Sequence, residues 1–387
     1  MKKIFFILQS EGTFSADSYI PLGYLLSENY RVIYYTFSFD VYSEIKENKL
    51  LFEAIEESGK LIGPLKKYKT HKILAYCKLL LEGLTSLRSI IFYYWPYNRC
   101  SKLVTILFYI VKTLRGRGYI LSKRSSIIFE KSEDIRKREC KINSNKILCN
   151  TLFNFKNHDG NFCFIPEEQF AKKDLDRYRP IPSLKAIPIG IPHLDRRWVG
   201  FYNRVAHKYI DNNKYFLLVL AKSVTSFHLR SNKDYLLSVH SILSFLRKGY
   251  PDFKVVIKLH PREVLDIKLL LGEYYKCNLV EISEQSSMLL SILAKTIFIL
   301  GPTAVAVQLF GTKRIDITHY SDEYKLEKNQ SIYYKYGVVQ CFPEDADIMK
   351  RYIDDDNYFK SNCNTQGEDK IKSESIENAK YIQNILL

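Results

Sequence analysis

The sequence predicts an α/β protein with two lobes, each built on a parallel sheet. Its 387 residues exceed what one hydrophobic core usually holds, which favours two domains. Short β-branched and aromatic runs alternate with segments of helical spacing, the pattern of a parallel sheet covered by helices on both faces. A proline-rich stretch at residues 180–192 separates two such series and is interpreted as the inter-domain connection. Because 46% of the residues are hydrophobic and 26% are charged, a disordered chain is excluded.

The first series predicts the N-terminal lobe, residues 1–185. We expect strands at residues 3–9, 31–37 and 60–62, and again near residues 119–121, 126–129 and 161–165. Helices are expected at residues 15–29 and 41–58, with Ser15 or Asp17 as the cap of the first.

The second series predicts the C-terminal lobe, residues 186–350, followed by a helical tail at residues 351–387. The strands are expected at residues 215–220, 253–259, 278–282, 296–300 and 313–318. The helices between them are expected at residues 234–248, 264–271, 286–294 and 304–310. Two Rossmann-like lobes joined by a linker predict a central cleft.

The positive charge of the chain is concentrated in residues 66–124. Basic residues exceed acidic ones by 16 in the whole sequence, and this segment holds thirteen basic residues against one acid, Glu82. We interpret it as a basic helical insertion in the N-terminal lobe, with helices over residues 70–114 broken near Trp95 and Pro96. Its aromatic residues among cations predict binding to an anionic membrane surface. A groove for a polyanionic acceptor and a merely solvated charged surface are the alternatives, and no nucleic-acid-binding module is recognised.

Several classes of protein are disfavoured by missing motifs. The eight cysteines form no CxxC pair, which argues against a zinc site and a disulfide framework and fits a reducing compartment. There is no phosphate-binding GxxxxGK[ST] loop, no GxGxxG after a strand, no zinc-protease HExxH and no hydrolase GxSxG, and Asp174-Leu175-Asp176 lies in a polar stretch rather than after an apolar strand. The apolar run that opens the chain is too short for a signal peptide and predicts a buried strand. No apolar stretch approaches the ~20 residues of a membrane span.

Three motifs of the predicted second lobe carry a family resemblance. Lys258-Leu259-His260-Pro261 resembles the K-x-H-P signature of bacterial surface-polysaccharide transferases of the GT-B class. This group includes CMP-sialic acid, polysialic acid and CMP-Kdo transferases and the teichoic-acid-type glycerophosphotransferases. The turn Gly301-Pro302-Thr303 and the segment from Gly190 to Asp195 are similar to a phosphate-contacting turn and a linker in the same families.

The resemblance and the chemistry of the residues together predict a nucleotide-donor site. His260 follows an apolar strand, where an imidazole hydrogen-bonds or protonates a phosphate oxygen at neutral pH. A helix N-terminus supplies N–H groups and a partial positive charge, so the turn before Ala304 is the expected phosphate contact. Ser286 and Ser287 are read as helix caps or, alternatively, as donor contacts. The complete set of expected donor-binding residues is Lys258, Pro261, Arg262, Gly301, Thr303, Ser286, Ser287 and Lys222.

An acceptor hydroxyl requires a base, which we expect to be a carboxylate. Glu11 follows the first strand, at the edge where open α/β sheets hold their active sites, and Asp17 and Asp159 are its rivals. The resemblance, together with these residues, therefore implies an inverting glycosyltransferase, which we expect to need no cofactor and no essential metal. We expect it at the inner face of the cell membrane, acting on a capsule or lipopolysaccharide acceptor. A CMP-sugar is the preferred donor, with a UDP-sugar or CDP-glycerol as alternatives and a non-catalytic polyanion- or lipid-binding protein as the other class.

Overall fold

A computed structural model describes most of the predicted core. The described residues are 2–8, 14–94, 102–121, 161–165, 184–188, 192–209, 215–221, 232–260, 271–276, 279–301, 303, 306, 312–320 and 331–364. Glu11, Asp159, Lys222, Pro261 and Arg262 lie outside them. The described residues up to Phe201 belong to one compact unit and those from Tyr202 onward to another, a division that falls later in the chain than the predicted one at residue 185.

The first unit is built on a seven-stranded parallel sheet of order β3-β2-β1-β4-β5-β6-β7. Its strands are β1 Lys3–Ile7, β2 Arg31–Tyr35, β3 Gly59–Ile62, β4 Ile90–Tyr94, β5 Arg117–Leu121, β6 Asn161–Ile165 and β7 Leu184–Pro188. Its helices are α1 Phe14–Leu26, α2 Phe39–Glu47, α3 Lys49–Ser58, α4 Lys69–Leu84 and α5 Lys102–Thr113. Strand β1 is buried along its whole length because both faces of a parallel sheet are covered.

Local chemistry fixes the turns between these elements. The Ser38 hydroxyl accepts a hydrogen bond from the backbone N–H of Val41 and so caps α2, and the Asn48 side chain caps α3 in the same way. At the start of β3, a Cβ on Gly59 would lie 2.2 Å from the carbonyl oxygen of Val32. Only glycine permits this close approach of β3 to β2.

The basic segment is not a helical insertion, and this prediction was wrong. Helices α4 and α5 form where helices were expected, but β4 lies between them and pairs with β1 in the middle of the sheet. The segment therefore continues the β-α alternation. Ile90–Tyr94 was predicted to be part of a helix because its aromatic run is flanked by cations. In the structure it is a strand, and Ile90, Ile91 and Phe92 are buried in the sheet.

The proline-rich stretch at residues 180–192 is also more than a connection. It contains β7, the edge strand of the first sheet, which pairs in parallel with β6. Pro188 ends this strand, and an edge is where a sheet tolerates proline. After it, a short turn at Pro192–Leu194 leads into α6, Arg196–Tyr209.

The second unit repeats the same strand order in a six-stranded parallel sheet, β10-β9-β8-β11-β12-β13. Its strands are β8 Tyr215–Leu220, β9 Lys254–Lys258, β10 Val280–Ile282, β11 Ala294–Leu300, β12 Lys313–Asp316 and β13 Val339–Gln340. Apart from the part of α6 that follows Phe201, its helices are α7 Asn232–Gly249, α8 Glu273–Lys276, α9 Ser287–Leu293, α10 Ala346–Asp354 and α11 Asp356–Asn362.

The predicted C-terminal tail begins inside a helix of this unit. Ile353 of α10 and Phe359 of α11, both within the predicted tail, are buried in the core of the second unit. The described part of the tail thus completes the core of that unit. Within the described ranges, no helix is long and apolar enough to cross a membrane.

Candidate functional site

The carboxyl edge of the second sheet holds the candidate site. All of its strand pairs are parallel, so the loops that follow β8, β9, β10, β11 and β12 leave the same edge. The strand order reverses between β8 and β11, and ligands of open α/β sheets bind at such a switch point. Because β9 and β11 both flank β8, their loops start roughly 10 Å apart.

The loop after β9 carries His260, and the strand that precedes this loop ends at Lys258. His260 lies two residues beyond the end of the strand and is partly exposed. The Lys258 ammonium donates to the carbonyl oxygen of Glu284 at 3.0 Å and to that of Ser283 at 3.5 Å. Lys258 thus joins β9 to the loop after β10, a contact that the sequence does not reveal. The donor-binding roles predicted for His260 and Lys258 stay predictions.

The two candidate serines lie on the loop after β10 and at the start of α9. Ser286 occupies the N-cap position, but its hydroxyl accepts no hydrogen bond from α9, so side-chain capping is not its role here. Its carbonyl oxygen accepts the N–H of Leu290. Ser287 is buried in the first turn of the helix. Both serines lie at the predicted edge, and their contact with a donor stays a prediction.

The turn after β11 requires a glycine, and two of its backbone N–H groups donate hydrogen bonds to side-chain hydroxyls. Gly301 has φ +88°, in the left-handed region that side chains other than glycine rarely adopt. Its N–H donates to the Thr318 hydroxyl at 2.7 Å. The N–H of Thr303 donates to the Tyr333 hydroxyl at 2.5 Å. These two backbone groups therefore fix the turn, and the phosphate contact predicted for Thr303 depends on its own hydroxyl.

A buried carboxylate organises the residues beneath this turn. Asp316 ends β12, is fully buried, and accepts hydrogen bonds from the Ser331 hydroxyl at 2.6 Å and the Tyr320 hydroxyl at 2.8 Å. Its other oxygen accepts the N–H of Thr318 at 3.0 Å. Burial raises the pKa of Asp316, and the hydrogen bonds to Ser331, Thr318 and Tyr320 only partly offset that rise.

This Asp316 cluster, Asp316 with Thr318, Tyr320, Ser331 and Tyr333, was not predicted. Ser331 also accepts the N–H of Tyr333 at 3.1 Å, so the carboxylate holds the tyrosine that receives the Thr303 N–H. The available sequence signal was an acid within the strand predicted at residues 313–318, because acids are rarely buried without partners. Thr318 and Tyr320 come two and four residues after Asp316, but Ser331 comes 15 residues later and cannot be assigned from the strand alone.

The carboxyl edge of the first sheet has the same switch point, between β1 and β4. The loop with Glu11 begins there but lies outside the described residues, and only the backbone of Asp17, in α1, is described. Farther along, the Asp195 carboxylate accepts the N–H of Arg197 at 2.8 Å and so caps α6. The catalytic base therefore stays a prediction. Among the described residues, no cluster of three histidine, cysteine or acidic side chains is arranged to hold a metal ion.

Comparison with known proteins extends the fold assignment. No protein-family model and no curated protein sequence matches this chain. In structure, the chain is similar to the wall teichoic acid polymerase TagF in a form soaked with CDPG, with a TM-score of 0.53, 12% identity, and coverage of 99% of this chain and 87% of that chain. It is also similar to a UDP-N-acetylglucosamine 2-epimerase, with a TM-score of 0.52, 11% identity, and coverage of 98% and 97%.

These similarities establish the fold. They confirm the prediction of two Rossmann-like lobes of the GT-B type, in agreement with the two parallel sheets of matching strand order. One neighbour is a polymerase and the other an epimerase. The reaction must therefore be argued from the site rather than from the fold.

Proposed function

We propose that this chain is a GT-B glycosyltransferase that transfers a sugar from a cytidine-activated donor to a capsule or lipopolysaccharide acceptor. The observation that carries the proposal is the position of His260 and of the Gly301–Thr303 turn, on either side of β8 at the switch point of the second sheet. A nucleotide phosphate placed there lies between an imidazole and a rigid turn. The K-x-H-P resemblance favours a CMP-sugar of the sialic acid or Kdo type.

In this reaction the acceptor hydroxyl oxygen attacks the anomeric carbon while a carboxylate base, Glu11 in our assignment, takes the hydroxyl proton. The bond from that carbon to the donor oxygen breaks, and its electron pair leaves with the nucleotide phosphate. His260 stabilises the charge that develops on that phosphate, by a hydrogen bond or a proton. No metal is required in this scheme, and attack from the opposite face inverts the anomeric centre.

Two alternatives share the scaffold. The structure of TagF soaked with CDPG supports a CDP-glycerol-type phosphotransferase, in which the acceptor oxygen attacks phosphorus instead of carbon. The epimerase supports a uridine nucleotide in the same position. Thermal-shift measurements with CMP-, CDP- and UDP-activated compounds separate these donors, since a ligand that binds the folded state raises the unfolding temperature.

The test of the catalytic proposal is His260→Ala. We expect the transfer rate to fall about a hundredfold or more while thermal unfolding stays unchanged. His240→Ala is the matched control, because His240 is an exposed histidine on α7 and away from the carboxyl edge. If His260→Ala retains the wild-type rate, the donor-site proposal is wrong, and a non-catalytic polyanion- or lipid-binding protein becomes the better reading.

We further propose that the protein acts in the cytoplasm as a peripheral protein on the anionic inner face of the membrane. The support is α4, which exposes apolar side chains among its cations. Ile73, Leu74, Leu81 and Leu84 are each half exposed or more, and Lys69, Lys72 and Lys78 are on the same helix. An interfacial helix has this combination, and each cation near an anionic surface contributes about 1 kcal/mol.

The membrane proposal is tested with vesicles. Co-sedimentation should require anionic lipid and weaken with salt, because salt screens exposed charges. Replacing Arg88, Arg99, Lys102 and Lys112 with Ser should reduce co-sedimentation and spare activity on a short soluble acceptor. If the wild type ignores anionic vesicles and the quadruple variant loses activity on the soluble acceptor, the basic segment is an acceptor groove instead.

A further inference from the structure

A charged cavity opens at the amino edge of the first sheet. It has a volume of about 500 Å³, and we call it the amino-edge pocket; its lining includes Lys3, Arg31, Lys60, Lys78, Leu81 and Glu82. Lys3 begins β1 and Arg31, its register partner, begins β2, while Lys60 is near the start of β3. These cations lie at or near the amino ends of their strands, and the lining continues along the short edge strand β3 to Ile62 and Gly63, at and just after its carboxyl end.

One ion pair in the pocket is structural. The Lys3 ammonium donates to the Glu82 carboxylate at 2.6 Å, to the Glu82 carbonyl oxygen at 3.0 Å and to the Thr85 hydroxyl at 2.8 Å. An ammonium has three protons to donate, so these contacts use all of them. Lys3 is only 6% exposed and connects the end of α4 to the start of β1. This pair is neutral overall and has no charge left for a ligand.

The remaining cations surround the mouth of the pocket. The second Glu82 oxygen lies 3.5 Å from the Arg31 guanidinium and 3.2 Å from the Lys60 ammonium, and these two side chains are about half exposed. Lys78, on α4, is exposed beside them. The lining therefore has four positive charges and one negative charge. Arginine and lysine arranged around a concave surface are the usual ligands of a phosphate group.

Apolar side chains border the same mouth. Leu65 is 52% exposed and Leu81 is 60% exposed, and both line the pocket. Leu74, Lys78 and Leu81 share one face of α4, because residues four and seven apart lie above one another on a helix. A soluble phosphate ester gains nothing from these leucines, whereas a lipid places acyl chains next to its phosphate.

We propose that the amino-edge pocket binds the phosphate headgroup of an anionic lipid, with Leu65 and Leu81 against the acyl region. This inference rests on the membrane association proposed above and assigns it a specific site. The candidate donor site belongs to the other sheet, and Lys3 of the pocket begins β1 whereas the loop with Glu11 follows the end of β1. In this proposal the bound lipid therefore anchors the enzyme and is not a reactant.

The test compares two triple variants in vesicle binding. Arg31→Ser, Lys60→Ser and Lys78→Ser together remove the cations at the mouth and leave the Lys3–Glu82 pair in place. Arg247→Ser, Lys248→Ser and Lys350→Ser together are the control, with the same loss of charge from exposed helix positions in the second unit. On phosphatidylglycerol vesicles we expect about a hundredfold weaker binding for the pocket variant and at most a twofold change for the control.

A second pair of variants tests the apolar contact. Leu65→Ser with Leu81→Ser should weaken vesicle binding about tenfold, whereas Leu237→Ser with Ile348→Ser, also exposed apolar positions but in the second unit, should not. Glycerol 3-phosphate is the soluble probe. If it binds the wild type as tightly as vesicles do, the site takes a free phosphate ester and the lipid assignment is wrong.

The remaining outcomes separate this inference from the proposals on which it rests. If the wild type binds vesicles and the pocket variant binds equally well, the pocket assignment fails but membrane association stands. If both triple variants lose binding equally, general charge attraction explains the result and the pocket assignment fails. If the wild type ignores phosphatidylglycerol vesicles, both the pocket assignment and membrane association fail, and the transferase proposal is tested separately through His260.

Discussion

Glu82 and Asp316 are two carboxylates largely withdrawn from solvent, and the protein surrounds them with opposite kinds of partner. Glu82 lies among the cations Lys3, Arg31 and Lys60, whereas Asp316 lies among hydroxyl groups and one backbone N–H. Burial alone would raise the pKa of Glu82, but hydrogen bonds from Lys3 and Lys60 and the charges of Lys3 and Arg31 lower it. The pKa of Asp316 stays raised, because neutral donors do not compensate for complete burial.

The difference indicates two uses of a buried acid. At Glu82 the carboxylate balances charge and holds cations at a surface. At Asp316 it accepts hydrogen bonds and holds Ser331 and Tyr320 in fixed positions beneath a turn. We therefore expect loss of the carboxylate to change charge-dependent binding in the first unit and the geometry of the donor site in the second.

The largest expected effect is that of Asp316→Ala. It leaves the Ser331 and Tyr320 hydroxyls and the Thr318 N–H buried without their acceptor, so the free energy of unfolding should fall by about 3 kcal/mol. Denaturant titration measures this change. Asp316→Asn keeps one acceptor oxygen and should cost less; equal losses in the two variants would contradict the hydrogen-bonding role.

Glu82→Gln should cost about 2 kcal/mol of unfolding free energy, because the buried Lys3 ammonium loses its counter-charge among other cations. Adding Lys3→Met should restore part of the loss, since it removes the unpaired charge. A double variant less stable than Glu82→Gln would show that Lys3 acts mainly through Thr85 and the Glu82 carbonyl oxygen.

The pH dependence of stability should have opposite signs at the two acids. Glu82, with a lowered pKa, contributes stability above its ordinary value of 4.5 that is lost as the pH falls through its folded pKa. Asp316, with a raised pKa, makes the protein less stable as the pH rises from its ordinary value of 3.8 toward its folded pKa. The free energy of unfolding, measured across acid pH, should therefore differ less between wild type and Glu82→Gln as the pH falls. For Asp316, the free energy of unfolding of wild type should exceed that of Asp316→Asn by less as the pH rises.

The smallest expected effect on stability is that of Tyr333→Phe. Loss of the hydroxyl that accepts the Thr303 N–H should cost about 1 kcal/mol. Because the turn loses its support, donor affinity measured by calorimetry should also fall several-fold. Tyr320→Phe is the control, since it removes a hydroxyl from the same cluster without contacting the turn. Equal losses of affinity in both variants would mean that the turn does not depend on Tyr333.

Most of the fold was predictable because the strands of parallel sheets are continuous apolar runs. Asn161–Ile165 and Tyr215–Leu220 were predicted with the bounds that the structure has. The runs at Ile90–Tyr94 and Leu184–Pro188 were not, because the first resembles an aromatic helix among cations and the second lies in a proline-rich stretch. In both, pairing with a neighbouring strand decides the structure, and the local pattern does not show it.

From the sequence, only the position of the candidate site at the carboxyl edge of the second sheet was predictable. Lys258 was proposed because it lies at the end of a predicted strand, and His260, Gly301 and Thr303 because each follows one, which places all four at the carboxyl end. The partners that give these residues their geometry are distant in sequence, such as Glu284 for Lys258 and Tyr333 for Thr303. Glu82 was visible as a lone acid among thirteen cations, but its partners Lys3, Arg31 and Lys60 come together only through the register of three strands.

The reversed strand order has a consequence for synthesis on the ribosome. Strand β1 pairs on one side with β4, whose Ile90 lies opposite Ile4 although it comes 86 residues later, and β8 likewise pairs with the distant β11. At about 5–20 residues per second, the β4 side of β1 has no partner for roughly 4 to 17 seconds after β1 emerges. An apolar strand with an open edge is a template for pairing with other chains. We therefore expect the yield of folded protein to depend on translation speed and on chaperones that cover β1 during this interval.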